Sequence, residues 1–246
     1  MPVVQISCLG HFGRFGNQLF QYAAAKGYAR KVGAELEISR WDAGRDLFDT
    51  VDETRVISNP LNPLPLEEIP DDRADVNLHG YFQYSRAYDL YTLSDLREWF
   101  AFKPWVHAVF SQKPRPKLTA HLRRGDYVTT FASSFCTIDA KCYEAAIDEH
   151  GLGGTPITWI SEDTPTKFNK PGLEYLEDFY TLMTSDILVR ANSTFSFWAG
   201  VLGNHSTILS PVIEGLRGHR TDVKFVRGNT PRTADHPNVH DFNIKP

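Results

Sequence analysis

Residues 119–128 read T-A-H-L-R-R-G-D-Y-V. Residues 117–122 have the apolar, partly β-branched character of a buried strand, and His121, Arg123, Arg124 and Asp126 crowd its exit into a loop. Two adjacent guanidinium groups repel each other unless an anion or a carboxylate holds them, and the planar fork of arginine suits phosphate. Ligands of open α/β sheets bind outside the carboxyl ends of the strands. The stretch therefore predicts a polyanion site, most simply for a diphosphate. The plainer alternative is that one arginine pairs Asp126 while the other faces solvent. The Arg-Gly-Asp tripeptide inside the stretch is too short to carry an adhesion role.

Working outward, the chain before this strand reads as one α/β unit. Residues 3–9 form a short apolar run, expected as the first strand. Gly10, Gly13 and Gly16 punctuate the turn, but not at the spacing of the dinucleotide fingerprint. Asn17 is expected to cap a helix over residues 19–32 that Gly33 ends, with a second strand over 34–38. A glycine turn at a helix N-terminus favours a phosphate, although a tight turn alone would also account for it. Residues 42–75 are rich in Asp and Pro, and Pro60, Pro63, Pro65 and Pro70 oppose long regular structure, leaving either an acceptor-cleft loop or a connector. Residues 76–82 read as a strand and 86–100 as a helix. The aromatics Tyr81, Phe82, Tyr84, Tyr88 and Tyr91 suit a core more readily than a carbohydrate platform. Pro104, Pro114 and Pro116 mark residues 102–117 as an interdomain linker.

Beyond the central stretch, helices are expected over 139–150, 173–185 and 197–202, and strands over 156–160, 187–189 and, last, 206–209. Ser161-Glu162-Asp163 ends the first of these strands, and residues 192–196 form a turn. Past Arg227 the chain is polar and is expected to drape over the surface. His236 and His240 stand four apart there, but with Pro237 between them they are a poor metal pair. The alternation gives an α/β fold class with two facing Rossmann-like domains, residues 1–112 and 113–246, and a site in the cleft between them.

The 246 residues, 41% of them hydrophobic, suffice for one large or two small domains. A net charge of −4 excludes a global nucleic-acid footprint, so any phosphate site must be built locally. Cys8, Cys136 and Cys142 lack a metal or redox spacing, and their odd number points to free thiols in a reducing compartment. No apolar run approaches the roughly 18 residues of a membrane span, and no signal peptide is visible. The expectation is a cytoplasmic protein with no transmembrane segment, for which peripheral membrane contact stays open.

H-L-R-R-G-D-Y, residues 121–127, resembles the His-x-Arg-Arg motif of α1,2-, α1,6- and related fucosyltransferases. G-R-F-G-N-Q-L-F-Q at 13–21 and A-N-S-T-F-S-F-W at 191–198 are similar to segments of glycosyltransferase family 11, the α1,2-fucosyltransferases, in the same order along the chain. G-Y-F-Q at 80–83 is a weaker fourth match. Two departures stand out. Arg14 replaces a family glycine, which makes G-R-F-G-N-Q the wording of protein O-fucosyltransferases, and Phe197 replaces a Trp.

The resemblance implies two facing Rossmann-like domains of the GT-B type, the first on the acceptor side and the second binding the donor. It implies a fucosyltransferase that uses GDP-fucose without a metal or other cofactor and acts on a glycan acceptor. It assigns Arg123 to the donor β-phosphate, with Arg124 sharing that task or holding Asp126. It puts His121 near the nucleotide and Asp178 on guanine N1 and N2. Ser193, Thr194, Phe195 and Ser196 would wrap the phosphates, and Arg14, Phe15 and Asn17 would reach the donor from the facing domain. Gln18 and Asn192 read as structural. The residues themselves support the metal-free chemistry: no convincing Asp-x-Asp ends a strand, so fixed cations must meet the leaving diphosphate. Arg123 and Arg14 are the candidates, with Asp126 as the acceptor base. The expected reaction is inverting transfer to a glycan hydroxyl, galactose O2 first. The alternatives are transfer to Ser or Thr, and an inactive nucleotide-sugar-binding protein. A nicotinamide oxidoreductase fits least, because the fingerprint glycines are missing.

Overall fold

A computed structural model describes residues 1–130, 132, 134–163, 168–213 and 218–229. The tail with His236 and His240 lies outside them. The chain divides into two compact units, Met1–Val109 and a second that begins at Phe110.

In the first unit, β1 (Val3–Ile6) leads through a glycine-bearing loop into α1 (Phe15–Val32) and back to β2 (Glu35–Ile38). The α1 helix starts four residues before the expected position, so Asn17 lies inside its first turn. Extended Arg14 is the N-cap, and no side chain caps the helix. The Arg14 carbonyl accepts the first helical hydrogen bonds, from Asn17 N at 2.9 Å and Gln18 N at 3.1 Å. Apolar residues run all round α1, which is buried on nearly every side, and Gly33 ends it in a left-handed conformation.

Residues 42–75 are more regular than their prolines imply. They hold α2 (Asp42–Leu47), α3 (Asp49–Asp52) and β3 (Arg55–Val56). The proline stretch is then fastened to the sheet. Buried Gln5 of β1 donates to Asn59 O at 2.9 Å and accepts from Leu61 N at 2.8 Å. β4 shrinks to Val76–Asn77, and the expected long helix breaks into α4 (Ser85–Tyr88) and α5 (Leu93–Trp99), because Thr92 and Asp95 form a capping box that restarts it. The linker expected over 102–117 contains α6 (Pro104–Phe110), whose proline stands at the first helical position, where it is tolerated. The parallel sheet has the order β3-β2-β1-β4. Phe15, Tyr22, Trp41, Phe48 and Phe100 cluster in its core.

The second unit opens with β5 (Leu118–His121), fully buried, and then β6 (Cys136–Ile138) and α7 (Ala140–Glu149), capped by Asp139. There follow β7 (Ile157–Ile160), α8 (Leu176–Thr184), β8 (Ile187–Val189), α9 (Thr194–Leu202) and β9 (Thr207–Val212). β9 is not the last strand: β10 (Gly218–Arg220) pairs with β6, and β11 (Lys224–Gly228) runs antiparallel to β9. The main sheet has the order β11-β9-β8-β5-β7, parallel except for β11. Leu118, Ala120, Tyr143, Ile147, Val189 and Phe225 lie in its core, and the three cysteines are free thiols. Among the described residues no helix is long and apolar enough to cross a membrane.

Candidate functional site

In the second unit the chain passes from β5 to β7 on one side, then crosses to β8 on the other side of β5. The connection direction therefore reverses between β5 and β8, and the crevice outside such a reversal is where open α/β sheets hold ligands. His121 ends β5, Arg190 follows β8, and Ser193 caps α9. The two motifs of this unit thus meet at one place, with the His121 and Phe195 rings 5.7 Å apart.

His121 is buried, and its Nδ1 has no hydrogen-bond partner among the described residues. Burial, reinforced by the Arg123 and Arg190 cations, lowers its pKa to about 3, so the imidazole is neutral at physiological pH. Arg123 is held by two carboxylates, Asp126 and Glu162, and its guanidinium lies over the Tyr127 ring at 4.6 Å. Tyr127 stacks in turn on Phe135 at 4.7 Å. The arginine that pairs Asp126 is therefore Arg123. Arg124 makes no ion pair among the described residues, and its backbone N–H donates to Glu162 Oε2 at 2.9 Å. Asp126, considered as an acceptor base, has its carboxylate engaged with Arg123.

Ser193 Oγ accepts from Phe195 N at 3.3 Å, the N-cap contact expected of a serine there. Thr194 and Phe195 are half-buried in the first turn of α9. Ser196 corrects the expectation: it is fully buried, and its hydroxyl accepts from Ala191 N at 3.3 Å, so it staples the turn instead of facing a ligand. Asn192 is a turn residue as read, its Nδ2 donating to Cys136 O at 2.9 Å. Asp178 sits half-buried on α8, the helix whose Phe179 ring packs edge-on against Phe195 at 5.1 Å. Burial and then the neighbouring Glu177 raise the Asp178 pKa to about 6, and no described residue donates a hydrogen bond to it.

In the first unit the reversal falls between β1 and β4. The loop after β1 meets the turn after β4 there. Phe12 stacks on Tyr81 at 4.2 Å, and Gln83 Nε2 donates to Asn17 Oδ1 at 3.0 Å. Two glutamines of α1 brace the loop: Gln18 donates to Gly13 O at 3.0 Å and Gln21 to Phe12 O at 2.7 Å. Gly13 has φ +79°, and a Cβ there would come within 2.5 Å of Asn17 Nδ2 and 2.9 Å of Tyr81. Arg14 is exposed at the loop end. Phe15, expected beside the donor, is instead a core side chain packed against Trp41 and Phe48. Glu67, from the Asp- and Pro-rich stretch 42–75, clamps the Gly80 turn by accepting from Tyr81 N and Phe82 N.

Glu162, Tyr127 and Arg190 were not singled out as site residues. Arg190 directly follows the apolar strand I-L-V and is 0% exposed. Among the described residues no cluster of three or more His, Cys, Asp or Glu could hold a metal ion.

Neither a family model nor a curated protein matches the sequence. Solved structures do match in fold. A structure of the α-1,6-fucosyltransferase NodZ soaked with GDP-fucose aligns with a TM-score of 0.52 at 14% identity, covering 92% of this chain and 98% of that one. Fucosyltransferase NodZ from Bradyrhizobium aligns with a TM-score of 0.53 at 15% identity over the same shares. The fold is accordingly the α/β GT-B type of these structures.

Proposed function

We propose that the protein is an inverting, metal-independent fucosyltransferase that moves fucose from GDP-fucose to a hydroxyl of a glycan. The observation that carries this reading is the convergence of Arg123, neutral His121 and the capped N-terminus of α9 at the β5/β8 reversal. The donor is the sugar nucleotide soaked into the similar NodZ structure.

Breaking the anomeric C–O bond builds positive charge on the sugar ring and negative charge on the departing diphosphate. A fixed guanidinium needs no reorganisation to meet that charge, and Arg123 is fixed by two carboxylates and an aromatic face. The N-terminus of α9 adds the positive end of a helix dipole for the same phosphates. Asp178 is a carboxylate without a described donor, which suits the adjacent N1 and N2 donors of guanine and not adenine. His121, neutral and buried at the end of β5, adds no charge to the site.

The test is turnover of GDP-fucose in EDTA against a panel of galactosides, other glycans and Ser/Thr peptides, with the product anomer read by NMR. A fucosylated glycan of inverted anomeric configuration is expected. Transfer to peptides alone would move the reading to protein O-fucosylation, and GDP-fucose binding without transfer or hydrolysis would make the protein an inactive binder.

A further inference from the structure

We propose that Glu162 is a positioning residue for the donor site: from the neighbouring strand β7 it fixes both the Arg123 guanidinium and the Arg124 peptide N–H, and so sets how Arg123 meets a diphosphate. The inference rests on the donor reading above. His121 of β5 lies opposite Ile160 of β7, and Leu122 N continues the ladder to Ile160 O at 2.8 Å. Two residues further along each chain, Arg123 and Glu162 arrive side by side. One carboxylate oxygen of Glu162 pairs the guanidinium of Arg123, and the other accepts from Arg124 N at 2.9 Å. The turn then lies directly on this side chain. Gly125 has φ +55°, and a Cβ there would sit 3.3 Å from Glu162 Cδ.

Asp126, the other partner of Arg123, belongs to the same short turn and moves with it. Glu162 comes from a different strand, so it alone of the two ties the arginine to the sheet. A carboxylate on each side holds the planar fork in one orientation. Removing Glu162 takes away the carboxylate that ties Arg123 to β7.

Titration calorimetry with GDP and with guanosine tests this on wild type, Glu162→Gln, Glu162→Asp and Arg123→Ala. Glu162→Gln is expected to weaken GDP by about tenfold or more, the scale of one charge-assisted hydrogen bond. Guanosine affinity should not change, and Glu162→Asp should recover part of the loss. A merely structural role would lower both ligands together. Gly125→Ala, which presses a methyl group on Glu162, should also weaken GDP selectively and serves if Glu162→Gln does not fold. If Arg123→Ala abolishes GDP binding while Glu162→Gln or Gly125→Ala binds GDP as wild type does, the inference falls alone. If Arg123→Ala binds GDP as wild type does, the donor reading falls and takes the inference with it.

Discussion

The His121 and Phe195 rings lie 5.7 Å apart, and this contact joins the end of β5 to the first turn of α9. Phe195 also meets Tyr175 and Phe179 edge-on, so one ring ties α8, α9 and β5 together. Phe195→Ala should cost about 3 kcal/mol, the low end for a Phe truncation because the ring is half-buried. It should also admit water to His121. Urea denaturation reads the first effect, and the imidazole proton shifts of His121 read the second.

Asp178 should show a conflict between stability and binding. Its pKa is raised from the ordinary 3.8 to about 6, chiefly by burial. The folded state therefore holds more protons than the unfolded one between those values, and stability falls as pH rises through that window. Above it the ionised carboxylate is a standing cost. Asp178→Asn should raise Tm at pH 7.5 and flatten the Tm-against-pH curve between about pH 4 and 6. The same variant should weaken GDP binding and reduce the preference for GDP over ADP. A variant with unchanged Tm and unchanged nucleotide preference would remove Asp178 from the site.

Gln18 carries two contacts at once: its amide N–H donates to Gly13 O, and its carbonyl accepts from the buried Trp41 Nε1 at 2.8 Å. Gln18→Ala orphans both, and a buried group left unsatisfied costs about 1–3 kcal/mol. A loss of that order is expected in urea denaturation, with faster hydrogen exchange at the loop amides of His11 and Phe12, which donate to Cys8 O.

Gly13 combines a left-handed backbone with a crowded neighbourhood. Gly13→Ala should cost about 1 kcal/mol in backbone strain and more in displaced neighbours, Tyr81 among them. The stacked Phe12–Tyr81 pair should separate, which near-ultraviolet circular dichroism would detect. Transfer should fall further than overall stability does.

The motif on β5 was legible because an apolar run ending in four charged or polar residues admits few structures other than a buried strand opening onto a site. The register that brings Glu162 to Arg123 was not, because strand order is a long-range property: β7 lies beside β5 only once the sheet is built. Ser196 turns inward for a local reason. A serine in the first turn of a helix can face a ligand or bond back to the preceding turn, and here the second wins. Phe15 follows the same logic, since the sequence marks the loop but not which of its side chains points inward. The short strands β6, β10 and β11 lack enough alternation to announce themselves, whereas the capping box that splits α4 from α5 is written locally in Thr92 and Asp95. Pro104 was read as a breaker although it opens α6.

In the proposed site Arg123 holds the diphosphate of a guanine nucleotide. The most direct measurement is calorimetric titration of wild type and Arg123→Ala with GDP, ADP and UDP in EDTA. The account predicts that wild type binds GDP in preference to both others and that Arg123→Ala loses this binding by at least about tenfold, as expected for a lost charge-assisted contact. Equal binding of the three nucleotides, or GDP binding that Arg123→Ala leaves intact, would contradict it.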